Sequence, residues 1–566
     1  MCGRCPLLGA KEIVLKVLTI KATTPITSST LQDCAVVAVV VLLTAAVYVP
    51  WLGFYSDDWG FLRAFTFAGD QSLTGLVRSF FEADANTRAR PVQALYLAAL
   101  YRLFGLDPLG YHIVNTAVFA GGLCAFYLSL RTLCENRLLS LAVVLVYGTL
   151  PHYSTARFWY AVFQANLSMA LYFAWLYCVL QLLTETRRRY AAWAVGAALC
   201  LLGSVLAYEV FIPLFLFSLL VVGVKHRQLV RVSQARSSKP VDIVSLYVIP
   251  TVLIALCVLF KGEMSERGGA PRWSALSDAL PAAVELTVGA YVVNLPRILA
   301  TIFRHHFDGA VLGISLISAV GIYLALKRAA QRDSTSYPTR LVLVLTLIGS
   351  VVVAGLSYMY FFNYFRVGTG INNRVTIAAA VCVAFFLVSG VTLVGSFLPL
   401  RLRKVSLCAG IAAVCFCGSL ITSTVATFWV DASRAQAEVL RGLKAAWPSP
   451  PMNSSVLLMG FCSWIGPGIV FETNWDVRGA VGVLYRDQTL AGNVLRPWMK
   501  VEGDGLRAGD TLFSYASLHV YDARTGLVNR IADEASASRI LRALAEEDVS
   551  GCAGNYNAFG AGLPIW

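Results

Sequence analysis

Charge is scarce in this chain: Asp, Glu, Lys and Arg together make up only 14% of its 566 residues, and histidine occurs six times. With a mean hydropathy of +0.66, that scarcity excludes a soluble multidomain enzyme and indicates a polytopic membrane protein. The formal charge of +14 does not indicate nucleic acid, because the basic residues form short clusters between apolar segments instead of gathering on one domain. Metal-ligand spacing is missing too. His305-His306 with Asp308 puts consecutive imidazoles on different helix faces without a third ligand, and Cys2 and Cys5 have no partner ligands. No small-residue cleavage site follows the basic N-terminus, and no internal repeat or long low-complexity tract is found.

The fourteen cysteines do not read as a disulfide scaffold. Cys124, Cys178, Cys200, Cys257, Cys382, Cys408, Cys415 and Cys417 lie in apolar segments, where cysteine behaves as a small hydrophobe. Cys462 and Cys552 stand apart in the C-terminal segment and could form one disulfide if that segment is exported.

Long apolar runs are plentiful. About eleven segments approach the length of about 20 residues that crosses the hydrocarbon core. They lie near 33–52, 111–131, 138–152, 158–183, 191–207, 209–224, 243–260, 308–326, 340–360, 374–397 and 405–426. Alternate connections collect Lys and Arg: Arg131 with Arg137, Arg187 to Arg189, Lys225 to Lys239, Lys327 to Arg340, and Arg401 to Lys404. All fall on the side of the N-terminal tail, which the positive-inside rule makes cytoplasmic. The expected fold is mainly α, a transmembrane helical bundle with external amphipathic helices and a small C-terminal α/β extracytoplasmic domain. The division is 1–30 cytoplasmic tail, 31–429 transmembrane domain and 430–566 soluble domain. Arg90 to Tyr101 reads as an interfacial helix, and Leu280 to Leu299, broken by Pro281, Glu285, Asn294 and Pro296, as an interfacial or re-entrant element, the alternative being a twelfth span that would reverse everything after it. In the C-terminal segment, Val456 to Met459 and Val481 to Tyr485 read as buried strands. His519 to Gly526 reads as a hairpin and Ser536 to Ala545 as a short helix.

Two adjacent carboxylates, Asp57 and Asp58, follow the first apolar run. A charge pair at the mouth of a span must face water, protein or a substrate, or else cap the helix beginning near Trp59. Glu209 stands between two apolar segments with little polar company, and reads with Asp57 and Asp58 as a candidate catalytic acid, or else as an acid at a water-exposed elbow. Arg88, Arg90, Arg157, Arg366 and Arg374 are placed to bind phosphate through the planar guanidinium fork, or to snorkel to lipid headgroups. Arg374 opens a span beside Asn372 and Asn373, where a headgroup site would be built. His112 and His152 sit at span ends as ligand contacts or interfacial hydrogen-bonding residues.

Ser56-Asp57-Asp58, the run from Arg90-Pro91 through Leu103-Phe104-Gly105-Leu106-Asp107-Pro108-Leu109-Gly110-Tyr111-His112 to Asn115, Tyr208-Glu209, and Asn373-Arg374 occur in that order. Together they resemble the GT-C superfamily of integral-membrane glycosyltransferases, in particular the bacterial protein O-mannosyltransferase-like and dolichyl-phosphate-mannose mannosyltransferase-like branch. The resemblance covers most of residues 31–426. It implies transfer of a sugar from a polyprenyl-phosphate carrier to a glycan, lipid or protein on the non-cytoplasmic face. It also implies a catalytic acid in the first external loop, matching Asp57 or Asp58, and inversion at the anomeric carbon. The family often has Lys-Glu where this chain has Tyr208-Glu209, which puts the role of that lysine in doubt. No cofactor is required, and a divalent cation, Mg or Mn, held by Asp57, Asp58 and the lipid phosphate is compatible with the pattern. The location implied is a bacterial inner membrane, N-terminus inside and C-terminal domain outside. Two rivals are a lipid-linked sugar transporter or flippase and a catalytically silent assembly subunit.

Overall fold

The computed structural model describes residues 27–134, 136–183, 187–233, 244–264, 276–332, 337–359 and 371–546. The chain is mainly helical, and nine of the described helices are long and apolar enough to cross a membrane. It is an integral, multi-pass membrane protein. Two of the expected spans are shorter helices, Arg137–Thr149 and Ala379–Gly395. The segment around Leu280 to Leu299 forms a pair of helices, 277–293 and 295–305, bent by 58°. The bend falls at Asn294, directly before the Leu295–His305 helix, whose first turn contains Pro296. A proline there has no amide to continue the preceding ladder.

Local chemistry sets the ends of the helices around the site. Asp107 accepts the Leu109 amide at 3.0 Å and Pro108 opens the helix Pro108–Leu133, a pairing of cap and N1 proline that needs no interior donor. Pro91 likewise opens Pro91–Phe104. Basic residues from three of the Lys- and Arg-rich connections are tied down at one end of the bundle. Arg137 grips Asp33 with two bonds of 2.7 Å, Lys225 donates to the Leu133 carbonyl, and Lys404 to that of Ala330.

The last of the candidate spans, Leu400–Ala446, runs for 47 residues without interruption. At 1.5 Å per residue it is about 70 Å long, roughly twice the hydrocarbon thickness. It therefore leaves the membrane as a rigid rod and enters the C-terminal domain. That domain holds a four-stranded sheet in which Ser455–Met459 lies parallel to both Ala491–Val494 and Leu518–Asp522. Leu527–Arg530 closes the edge as a hairpin with Leu518–Asp522, its turn finishing on Gly526 at φ +68°. The expected strand at Val481 to Tyr485 is instead the end of a helix, Asn474–Tyr485. A short apolar run does not distinguish the two periods, and a capping carboxylate, Asp476, settles it here. Cys462 is disulfide-bonded; Cys552 and positions 1–26 lie outside the described residues.

Candidate active site

The first described helical segment ends at Trp51, and the chain turns back into a short helix, Asp57–Thr66. The residue before it, Ser56, has φ 44° and ψ −117°. A side chain in that region costs of order 1–3 kcal/mol, so its surroundings must hold it. Those surroundings begin with Asp58. It is fully buried, and its two oxygens accept the amides of Tyr55 at 2.8 Å and Ala161 at 2.7 Å. Burial pushes its carboxyl well above the usual carboxylate range against those two amides. Asp58 is a clamp between two loops and does not line the cavity. Asp57, one residue earlier, does.

That cavity has a volume of about 400 Å³. Asp57 and Phe61 form one wall; Asp84, Asn86, Thr87, Arg90 and Gln93 a second; Trp159, Gln164 and Tyr208 a third. Arg374 and Trp475 complete it. The cavity sits at the end of the bundle opposite the tied-down basic residues.

Glu209 lies behind Arg90. The Arg90 guanidinium meets it with two bonds, Nε to Oε2 at 3.0 Å and a second, shorter one to Oε1. Lys261 Nζ donates to Oε2 at 3.0 Å and to the Ala89 carbonyl at 2.9 Å. Two cations against one carboxylate leave a net positive charge behind the cavity wall. Arg90 also lies over the Tyr208 ring, 4.8 Å from its centre.

Arg374 belongs to a short 3-10 helix, Ile371–Thr376, and lies 5.4 Å from the centre of the Trp159 ring. Its neighbour Asn373 is buried and ties this helix to the 150s loop. The Asn373 side chain accepts the Thr155 amide at 3.2 Å and donates to Ser154 Oγ at 3.0 Å. Asn373 thus anchors the segment carrying Arg374 and is not in the wall. Arg157 is buried, donating to the carbonyls of Gly148 and Leu150 between the rings of Phe119 and Tyr153. His112 is buried on the Gly53 carbonyl at 3.1 Å. His152 is buried against Tyr291 and the Leu286 carbonyl. Arg88 is exposed outside the cavity lining, and Arg366 lies outside the described residues. Of the sequence candidates, the fold brings Asp57, Arg90 and Arg374 together around one space.

Sequence reading missed the contribution of the C-terminal domain. Ser56 Oγ donates to Glu472 Oε1 at 2.9 Å, across 416 positions of chain, and the Trp475 indole lines the cavity. Burial, with the nearby Asp57 carboxylate, raises the Glu472 carboxyl; Ser56, Arg496 and Arg374 oppose the rise. Asp476 accepts the amides of Glu472 at 2.7 Å and Thr473 at 3.0 Å, and burial pushes its carboxyl up to about 7. No periodicity or spacing links these residues to Asp57. Gln93, Gln164, Asp84 and Lys261 carry no motif either. Among the described residues, no three His, Cys, Asp or Glu side chains are grouped to hold a metal ion.

No protein-family model matches the chain, and no curated protein matches it. Among solved structures it is similar to ArnT from Cupriavidus metallidurans. The form bound to undecaprenyl phosphate is 15% identical, with a TM-score of 0.33, covering 81% of this chain and 84% of that one. The apo form is 16% identical, with a TM-score of 0.34, covering 81% and 85%. A likeness at those TM-scores carries no argument about what this chain does.

Proposed function

We propose that this protein is a membrane glycosyltransferase, moving one monosaccharide from a polyprenyl-phosphate donor to a hydroxyl of a glycan, lipid or protein. The observation that carries the reading is a single cavity at one end of a membrane bundle whose walls hold Asp57, Arg90 and Arg374 together with four aromatic rings. The residues quoted for the GT-C resemblance supply three of these groups.

In this scheme the Asp57 carboxylate takes the proton of the acceptor hydroxyl as the oxygen attacks the anomeric carbon. The bond between that carbon and the phosphate oxygen breaks, with inversion. The electron pair leaves with the polyprenyl phosphate, and the proton passes from Asp57 to solvent. Arg374 and the Arg90–Glu209–Lys261 group, with its surplus positive charge, stabilise the phosphate as it leaves. Trp159, Tyr208, Phe61 and Trp475 offer flat faces to sugar and lipid. The guanidinium groups supply the positive charge that a divalent ion would otherwise bring, so chelation with EDTA should leave the rate unchanged.

The cavity faces the non-cytoplasmic side in this reading. The basic residues tied down at the opposite end support that orientation, as does the disulfide at Cys462, which belongs to an oxidising compartment. The decisive experiment compares transfer by the purified parent and Asp57→Asn from undecaprenyl-phosphate-linked sugars. Loss of transfer with donor binding retained supports the assignment; undiminished transfer removes Asp57 from the mechanism.

A further inference from the structure

We infer that the C-terminal domain is part of the catalytic centre, with Glu472 as a positioning residue that holds the Ser56 hydroxyl and thereby aims Asp57 into the cavity. This rests on the assignment of Asp57 as the base. Ser56 is one of three residues other than glycine with a positive φ among the described residues, and it immediately precedes Asp57. As the residue before the helix it would ordinarily turn its hydroxyl back to cap a free amide. It makes no such cap; the hydroxyl goes to Glu472 instead, at 2.9 Å.

The residues on either side are held from the membrane domain. Tyr55 donates its hydroxyl to the Trp429 carbonyl at 2.8 Å, and its own carbonyl accepts the Trp159 indole at 2.8 Å. Asp58 is clamped to Ala161. These bonds fix the ends of the turn but do not reach the Ser56 side chain, so the bond to Glu472 is what opposes relaxation at the strained position.

Glu472 is itself braced. Its amide donates to Asp476 at 2.7 Å, and its carbonyl accepts Arg496 at 3.3 Å. The domain that carries it has no slack against the Asp57–Thr66 helix. A Cβ on Gly60 would stand 2.1 Å from the Trp475 ring, and one on Gly479 would stand 2.4 Å from the Trp59 backbone. Two helices meeting at glycines transmit position directly, as closely packed interiors do.

The inference is tested by steady-state transfer with full-length protein in lipid nanodiscs. Undecaprenyl-phosphate-linked hexose and pentose serve as donor probes, and the glycolipid fraction of host membranes as acceptor. Ser56→Ala and Glu472→Ala should each lower kcat about 10–100-fold through misplacement of the base, with donor KM unchanged. The double variant should lose no more than either single one, because both cut the same link. Glu472→Gln keeps an acceptor for the hydroxyl and should restore turnover toward the parental value. Ser56→Gly in the Glu472→Ala background should do the same, since glycine takes a positive φ without strain. Ser56→Ala removes a single oxygen and carries the test if Glu472→Ala does not fold. Parental kcat in Ser56→Ala and Glu472→Ala beside an inactive Asp57→Asn, or additive losses in the double variant, would overturn the inference while leaving the base assigned. Parental turnover in Asp57→Asn would instead sink the assignment of the base.

Discussion

Replacing Asp57 by Asn keeps the size of the side chain and removes its basicity, so turnover should fall about 10²–10⁴-fold while expression and donor binding stay near parental values. Asp58→Asn should act differently. The carboxylate accepts one amide on each oxygen, and an amide side chain would turn its NH2 toward one of them. The expected cost is about 1–3 kcal/mol of stability, read as a lowered Tm, with activity falling only as the folded fraction falls. Adjacent carboxylates in a sequence are indistinguishable on this point; the Ala161 amide that singles out Asp58 is 103 positions away. Glu209 shows the same limit. Its isolation among apolar residues marks it, but Arg90 and Lys261 decide what it does. Glu209→Ala would leave two cations facing each other with little solvent, side-chain exposures being 25% and 4%. Breaking a buried pair costs about 3–5 kcal/mol; Lys261 is buried but Arg90 keeps a quarter of its side chain in solvent, so a loss at the lower end is expected in thermal unfolding in detergent.

Short elements carry most of the groups around the cavity, Gln164 at the start of a long span being the exception. The 3-10 helix Ile371–Thr376 holds Arg374 against Trp159, a placement that uses the planar guanidinium. Arg374→Lys preserves the charge and loses the plane, so undecaprenyl phosphate should bind about tenfold more weakly, measured by titration. Equal affinity would remove Arg374 from the phosphate site. The helix Asn474–Tyr485 carries Asp476, whose carboxyl burial raises from 3.8 to about 7. A raised folded-state value means that the folded protein binds the proton more tightly. The stability this contributes is therefore full below about pH 4 and is lost as pH rises through about 7. Asp476→Asn should flatten the dependence of Tm on pH across that window. It should also lower the baseline by about 1–3 kcal/mol through the amide left without its acceptor. A pH dependence as steep as the parent's would show that another group is responsible. From sequence alone Val481 to Tyr485 reads as a strand, because a few consecutive apolar residues fit either period until their contacts are known.

At the scale of the whole molecule, the cavity and the C-terminal domain share one end of the bundle and the anchored basic residues the other. Cysteines introduced at the exposed positions Glu82 and Arg524 should label from the same side of a sealed vesicle, and one at Arg328 from the opposite side. Labelling of Glu82→Cys and Arg524→Cys from different sides would contradict this arrangement. Membrane insertion, the approximate spans and their alternating charge could be read directly from the chain, because hydropathy and charge bias are properties of contiguous residues facing a common solvent. The strands at Met459 and Tyr521 and the hairpin turn at Gly526 were legible for a similar reason, since alternation and turn chemistry are local. Glu472 could not be read that way. Its meaning depends on a 47-residue helix that carries the C-terminal domain back over the first loop, and on two glycines, Gly60 against the Trp475 ring and Gly479 against the Trp59 backbone, that let two helices meet there. Which of two adjacent acids faces the cavity, which arginines reach it, and which are spent on carbonyls are decided by contacts between distant segments. Those contacts exist only once the chain has packed, since burial and hydrogen bonding give a charged side chain its role.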